Sequence, residues 1–209
     1  MVRKIQANYE IETIDGEQML INIERAGRTC YKSDSEYTLE TAKDFASMIL
    51  KRGHESVIEH EKVTVRVICD RGVTHEIVRH RLASYSQEST RYCNYSKNKH
   101  GNEITVIDLD SYLETAAQQK VFNSIVELCE SAYMDLLEMG VTPQIARGVL
   151  PNILKTEIVM TMNLREWRHF FKLRTSIAAH PQMREIACPM LEDFKEMIPI
   201  IFDDIPSQA

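Results

Sequence analysis

Along the first fifty residues the apolar positions recur at helical spacing. Leu20, Ile23, Gly27 and Cys30 lie three or four residues apart, and Ala42, Phe45, Met48 and Ile49 form a second such set that stops at Gly53. Each set lines one face of a 3.6-residue period and predicts a helix with one buried stripe. The period then changes to two. Val63, Val65, Val67 and Cys69 alternate with Lys62, Thr64, Arg66 and Asp70, the signature of a half-buried strand. GVTHEIVRHR predicts a short helix that delivers Arg79, His80 and Arg81 into a polar loop, and NEITVI predicts another strand.

Residues 110 to 139 give the longest helical pattern, with Leu113, Ala117, Val121, Ile125, Leu128, Ala132, Leu136 and Met139 on roughly one stripe and Gly140 as its stop. Thr142 before Pro143 is an N-cap and first-turn pair. Asn163 with Glu166 three residues on reads as a capping box, and Pro181 opens a last helix. The predicted fold is α+β, a long helix and shorter helices packed on a small mixed or antiparallel sheet, whose strand order the pattern leaves open. Without repeats, low-complexity tracts or a Pro/Gly/Ser linker, the 209 residues are expected to form one domain, residues 1–209.

Composition narrows the function classes. The chain carries 25 Lys and Arg against 31 Asp and Glu, a formal charge of -6, so long-range attraction to nucleic acid or an anionic membrane is not expected. Any anion site must be local. The five cysteines, Cys30, Cys69, Cys93, Cys129 and Cys188, are scattered and never spaced as C-x-x-C, which fits reduced thiols in a cytoplasmic protein. No stretch approaches a membrane span, and the N-terminus has no apolar leader core.

Against that acidic background RHRLASYSQESTRY, residues 79 to 92, places Arg79, Arg81, Arg91 and His80 around a run of hydroxyls and amides. Guanidinium forks suit phosphate or carboxylate, and hydroxyls complete an oxygen-rich ligand's shell. Singly, each arginine is better explained as a solvated surface charge, because exposed ion pairs contribute little. The cluster as a whole points to a phosphate-bearing small molecule. HESVIEH, residues 54 to 60, has neither orientation of a zinc-binding helix motif, and no metal site is expected. In NLREWRHFFKLR, residues 163 to 174, cations stand among aromatics, which by itself describes an amphipathic helix with a basic last turn.

The blocks together resemble a family. Arg79-His80-Arg81, then seven residues, then Ser89 continuing as Thr-Arg-Tyr, looks like the signature of flavin-dependent thymidylate synthases, and GHESVIEH, IARGVLP and NLREWRHFFKLR resemble three further blocks in that family's order. The resemblance implies a homotetramer with shared active sites, binding FAD, deoxyuridine monophosphate (dUMP), 5,10-methylenetetrahydrofolate as carbon donor and NADPH as reductant. It implies flavin contacts at His54, Ser56, Arg79, His80, Arg81, Gln87, Asn163, Arg165 and His169. It implies nucleotide contacts at Arg79, Gln87, Ser89, Arg91, Arg147 and Arg174, with Glu88 and Thr90 acting through backbone amides and Glu76 as a further candidate. Arg174 is the implied catalytic residue, an electrostatic partner for an ionised uracil and not a base, since guanidinium stays protonated. Family members differ at the positions of Glu76, Gln87 and His169, so side-chain roles there are not family constants. Two other classes remain to be weighed: a nucleotide-binding or RNA-contacting module without turnover, which lacks a basic stripe with stacking aromatics, and a metal-dependent nucleotide hydrolase, which lacks a ligand set.

Overall fold

The computed structural model describes residues 2–30, 32–33, 36–97 and 101–207. In chain order the elements are β1 (Arg3–Ile5), β2 (Asn8–Ile11), α1 (Gly16–Thr29), α2 (Leu39–Lys51), a 3-10 turn at Glu55–His60, β3 (Lys62–Asp70), α3 (Arg71–Ile77), β4 (Ala83–Gln87), β5 (Thr105–Ile107), α4 (Ala116–Glu138), α5 (Pro143–Ala146), β6 (Lys155–Asn163), α6 (Leu164–Arg174) and α7 (Pro181–Met197). The fold is α+β, as the pattern predicts. Four strands pair in the order β2-β3-β6-β4, and β1 pairs with β5 in parallel, Arg3 opposite Thr105. Among the described residues no helix is long and apolar enough to cross a membrane.

Contacts divide the chain into two compact units, one of Met1–Asn8, Val67–Ile77 and Ser86–Ile158, the other of Tyr9–Arg66, Val78–Tyr85 and Val159–Ala209. The division falls inside β2, β3, β4 and β6, so each of these strands contributes residues to both.

In the first unit the core gathers Val2, Tyr95, Ile104, Val106, Ile107, Val126, Tyr133 and Leu154. Helix α4 starts at Ala116, capped by Thr115, whose hydroxyl accepts from the Gln118 amide while Gln118 reaches back to the Thr115 amide. Its inward face is not the predicted stripe. Val126 and Tyr133 are buried, with Phe122 and Leu137 packed beside them, whereas Val121, Ile125 and Leu128 are 55–65% exposed and Met139 is 79% exposed. The helix is apolar on two faces, and its sequence alone does not say which one meets its own core.

In the second unit α1 and α2 pack closely because Gly27 carries no side chain: a Cβ there would stand 2.3 Å from the Phe45 ring. Strand β3 alternates as read, with Val63 and Val65 buried, and Asn163 caps α6 by accepting from the Glu166 amide at 2.9 Å. The aromatic residues of α6 form the interior. Trp167, Phe170, Phe171, Phe194 and Phe202 stand with ring centroids 4.9–5.7 Å apart, largely edge to face, and the Trp167 indole donates to the Val63 carbonyl at 3.0 Å. Strand β6 has no counterpart in the sequence reading, and Ala83–Gln87, read as a polar loop, is strand β4.

Arg168 is the buried cation of this unit. It is 2% exposed, holds Asp204 bidentately at 2.6 and 2.7 Å, donates to the Ile201 carbonyl, and lies 3.3 Å from Glu55. Arg168→Met is therefore expected to destabilise the protein by about 2–3 kcal/mol, the usual worth of hydrogen bonds to a charged group, read as a lowered urea midpoint. The Arg168 hydrogen bond holds the Asp204 carboxyl below its ordinary pKa. Its contribution is thus present above the unfolded carboxylate pKa and is lost as pH falls through the depressed folded value, a pH dependence that Arg168→Met should weaken.

Candidate functional site

The second unit holds a cluster centred on His80. Its imidazole is 3% exposed, packs 5.0 Å from the Phe170 ring and meets the His169 ring edge-on at 5.4 Å. Both ring nitrogens are engaged: Nδ1 lies 3.1 Å from Glu166 Oε1, and Nε2 accepts from Arg174 Nε at 3.1 Å. Because a guanidinium only donates, the ring proton sits on Nδ1, toward the carboxylate. Burial pushes the imidazole below its ordinary pKa of 6.5; the Glu166 hydrogen bond works against this, and the Arg174 charge adds to it. The ring is therefore neutral at neutral pH. Tyr85 on β4 donates its hydroxyl to the His80 carbonyl at 2.7 Å, and burial pushes that phenol up to about 12.

One ligand-type atom from each of His80, Glu166 and His169 lies within 4.8 Å of the others, a spacing a cation would accept. Both His80 nitrogens are committed to hydrogen bonds, however, one of them to a guanidinium that would repel a metal. The arrangement is a hydrogen-bonded set holding Arg174.

Around it lies a cavity of about 410 Å³ lined by Asn163, Arg165, His169, Lys172, Glu55 and Glu59, with Glu166 and Leu82. Arg165 pairs with Glu59 at 2.6 Å and lies 3.8 Å from Glu55. His54, Ser56, Arg79, Arg81, Arg165 and His169 are exposed and Arg174 is half-buried. Arg79 and Arg81 make no side-chain hydrogen bond or ion pair among the described residues. Of the sequence candidates in this unit, His80 alone turns its side chain fully inward.

The first unit holds a second cluster around the end of β4. Gln87 donates to the hydroxyls of Thr74 and Thr156 at 3.0 and 3.3 Å. Thr90 is buried and accepts from Arg147 Nη1 at 3.2 Å, which joins two candidates far apart in sequence. Arg91 is exposed, its guanidinium 5.6 Å from the centroid of the Tyr92 ring, and its amide donates to Ser89 Oγ at 3.3 Å. Glu76 is half-buried.

Glu88 departs from expectation. Its amide donates to the Glu157 carbonyl at 2.8 Å, continuing the sheet pairing, so that amide is committed within the fold and does not face an outside phosphate. Its carboxylate is neutralised internally, 3.0 Å from Lys155 Nζ and accepting from the Tyr95 hydroxyl at 2.8 Å. Lys155 also pairs with Glu157 at 2.5 Å. Burial opposes the Lys155 charge, but the hydrogen bonds to Glu157 and Glu88 hold its pKa above the ordinary value. Glu166 and Lys155 were not foreseen as parts of these clusters. Glu166 has a sequence signal only as a capping residue, and Lys155 has none.

Comparison with known proteins turns these clusters into a family assignment. A family model described as "Thymidylate synthase complementing protein" matches residues 13–200. The flavin-dependent thymidylate synthase of Geobacter sulfurreducens is 38% identical over 186 residues, 86% of this chain and 78% of that protein. The chain belongs to this family. A second relative, the flavin-dependent thymidylate synthase of Pyrococcus furiosus, is 33% identical over 194 residues, 92% of this chain and 79% of that protein. The fold agrees with a crystal structure of a UMP/dUMP methylase, PolB from Streptomyces cacaoi bound with 5-Br dUMP, at a TM-score of 0.78 and 22% identity, covering 97% of this chain and 96% of that one. The cluster centred on His80 draws Glu166, His169 and Arg174 from the NLREWRHFFKLR block, whereas Lys155 and Glu157 of the second cluster lie outside the four blocks.

Lys155→Met leaves two carboxylates without their shared cation in a half-buried setting. The variant is expected to lose about 2 kcal/mol of stability at neutral pH in denaturant titration. In the wild type the Lys155 contribution is present below the unfolded lysine pKa and is lost as pH rises through the higher folded value.

Proposed function

We propose that the chain is a cytoplasmic flavin-dependent thymidylate synthase that methylates dUMP reductively at C5 to give thymidylate, with 5,10-methylenetetrahydrofolate as carbon donor and NADPH reducing FAD. The observation that carries the reading is the family match across residues 13–200, which contains all four blocks. The 209 residues act as one catalytic domain.

The residues present fit the cofactor. A dinucleotide diphosphate needs cations not already neutralised, and Arg79 and Arg81 are exposed without such partners among the described residues. Ser56, His54, Asn163, Arg165, His169 and Gln87 complete the set that would hold the flavin. When bound, the flavin supplies the electrons that reduce the transferred carbon to a methyl group.

The nucleotide phosphate falls to Arg91, Arg147, Ser89 and Thr90, with Glu76 a further contact. Thr90 orients the Arg147 fork through its hydroxyl, and Lys155 removes the repulsion that the Glu88 carboxylate would otherwise exert on a phosphate. Arg174 stabilises negative charge on the uracil as N3 ionises, which raises the nucleophilicity of C5 toward the one-carbon unit. It does so from a fixed position, because Nε is held by His80. His80 serves through this hold, its ring nitrogens being turned away from the surface.

The active form is a homotetramer with sites shared between chains. The outward stripe of α4, Val121, Ile125 and Leu128, gives an apolar face of the kind that subunits bury, and supports this reading.

Purified protein loaded with FAD is expected to show a flavin absorbance spectrum and to form thymidylate when given dUMP, methylenetetrahydrofolate and NADPH. No product from the loaded protein with all substrates would refute the assignment. Arg174→Ala is expected to lower turnover at saturating dUMP by about 100-fold while retaining FAD, as for removal of a donor to developing charge. Arg174→Lys should recover little of it, since an ammonium on a flexible stem does not reproduce the planar fork.

A further inference from the structure

We infer that Glu166 is a positioning residue for Arg174: through the neutral ring of His80 its carboxylate fixes where the guanidinium stands. The inference rests on the proposed role of Arg174.

The geometry is a line of three side chains. Glu166 Oε1 lies 3.1 Å from His80 Nδ1, and His80 Nε2 lies 3.1 Å from Arg174 Nε. Glu166 is 7% exposed, and a buried carboxylate is costly unless it is paired. Its capping duty does not account for it. The N-cap of α6 uses only the Glu166 backbone amide, and the side chain goes to His80. A capping box would instead have turned that side chain back to the Asn163 amide.

The ring is held on every side. Tyr85 fixes the His80 carbonyl, Phe170 covers a face of the ring at 5.0 Å, and Glu166 holds the proton on Nδ1. The Nε2 lone pair is thereby kept as an acceptor aimed at Arg174. An arginine side chain gives up rotamer freedom when it is ordered, so a guanidinium fixed before substrate arrives is better placed than one that must be ordered in the transition state. Glu166 also favours this state electrostatically, because the Nδ1–H dipole points at its charge.

The device is proton-sensitive. A second proton on His80 would sit on Nε2, facing Arg174 Nε–H, and donor would meet donor. The charged or titratable groups facing His80 are Glu166, His169 and Arg174 from α6 and Tyr85 from β4, and only Glu166 favours the imidazolium strongly. Burial and Arg174 keep the ring neutral below its ordinary pKa. Activity should therefore persist to somewhat below pH 6.5 and then fall on the acid side as the contact opens.

The test is a double-mutant cycle on FAD-loaded enzyme at saturating dUMP, with Glu166→Ala and Glu166→Gln each made in the wild type and in Arg174→Ala. In the wild type, Glu166→Ala is expected to lower turnover about tenfold or more with FAD content unchanged, the scale of a catalytic group displaced by under an ångström. Glu166→Gln recovers part of the loss, because its side-chain oxygen still accepts from Nδ1–H, and its acid limb moves to lower pH because the charge that favours the imidazolium is gone. In Arg174→Ala both substitutions should change turnover by less than about twofold. Equal losses in the two backgrounds, or a loss traced to FAD release, would overturn the inference. If Arg174→Ala is impaired and neither Glu166 variant is, the positioning fails while the role of Arg174 stands. Near-normal turnover in Arg174→Ala overturns both. Should Glu166→Ala not fold, Glu166→Gln carries the same cycle and the pH shift.

Discussion

A neutral imidazole buried between a carboxylate and a guanidinium sets the terms for the helix that carries the catalytic candidate. A buried ring nitrogen without a partner costs about 1–3 kcal/mol, so His80 is tolerable inside only because α6 supplies a partner to each nitrogen. Those partners are Glu166 in the first turn and Arg174 in the last, eight residues apart on a helix that also sets Phe170 against the His80 ring and buries Trp167 and Phe171 beside it. The aromatic core fixes the rotation of α6, the rotation fixes which side chains face His80, and His80 fixes Arg174. A change in any of these reaches the guanidinium.

Charge is handled the same way throughout an acidic chain. Glu55 and Glu59 stand beside Arg165, Arg168 and Lys172, while Glu88 and Glu157 share Lys155. Neutralising carboxylates locally leaves Arg79 and Arg81 in one unit, and Arg91 and Arg147 in the other, as exposed cations, so a protein with a formal charge of -6 still offers local cationic groups to an anion. Specific small anions are accommodated without the long-range field that would also gather nucleic acid.

Much of this was legible along the chain, and the remainder was not for identifiable reasons. Strand β3, with Val63, Val65 and Val67 on one face and charges on the other, announces itself. So do the stripes of α1 and α2, the cap at Asn163 and the start of α7 at Pro181. Strand β6 is not legible although Ile158, Met160 and Met162 alternate, because methionine, glutamate and lysine favour helix as readily as strand. The inner face of α4 is not legible because both faces of the helix are apolar. The arginine cluster was readable as an anion site. The partnership of Glu166, His80 and Arg174 was not, since it joins positions 86 and 94 residues apart and depends on how α6 is turned.

The central claim, that His80 is neutral with its proton toward Glu166 and its lone pair toward Arg174, has a direct spectroscopic readout. In protein labelled with 15N-histidine, with the His80 resonances assigned by their loss in His80→Gln, Nδ1 at neutral pH should show the shift of a protonated ring nitrogen and Nε2 that of an unprotonated one. The shift of Nε2 should move when Arg174 is replaced by alanine. A ring protonated on Nε2, or on both nitrogens, at neutral pH would contradict the account.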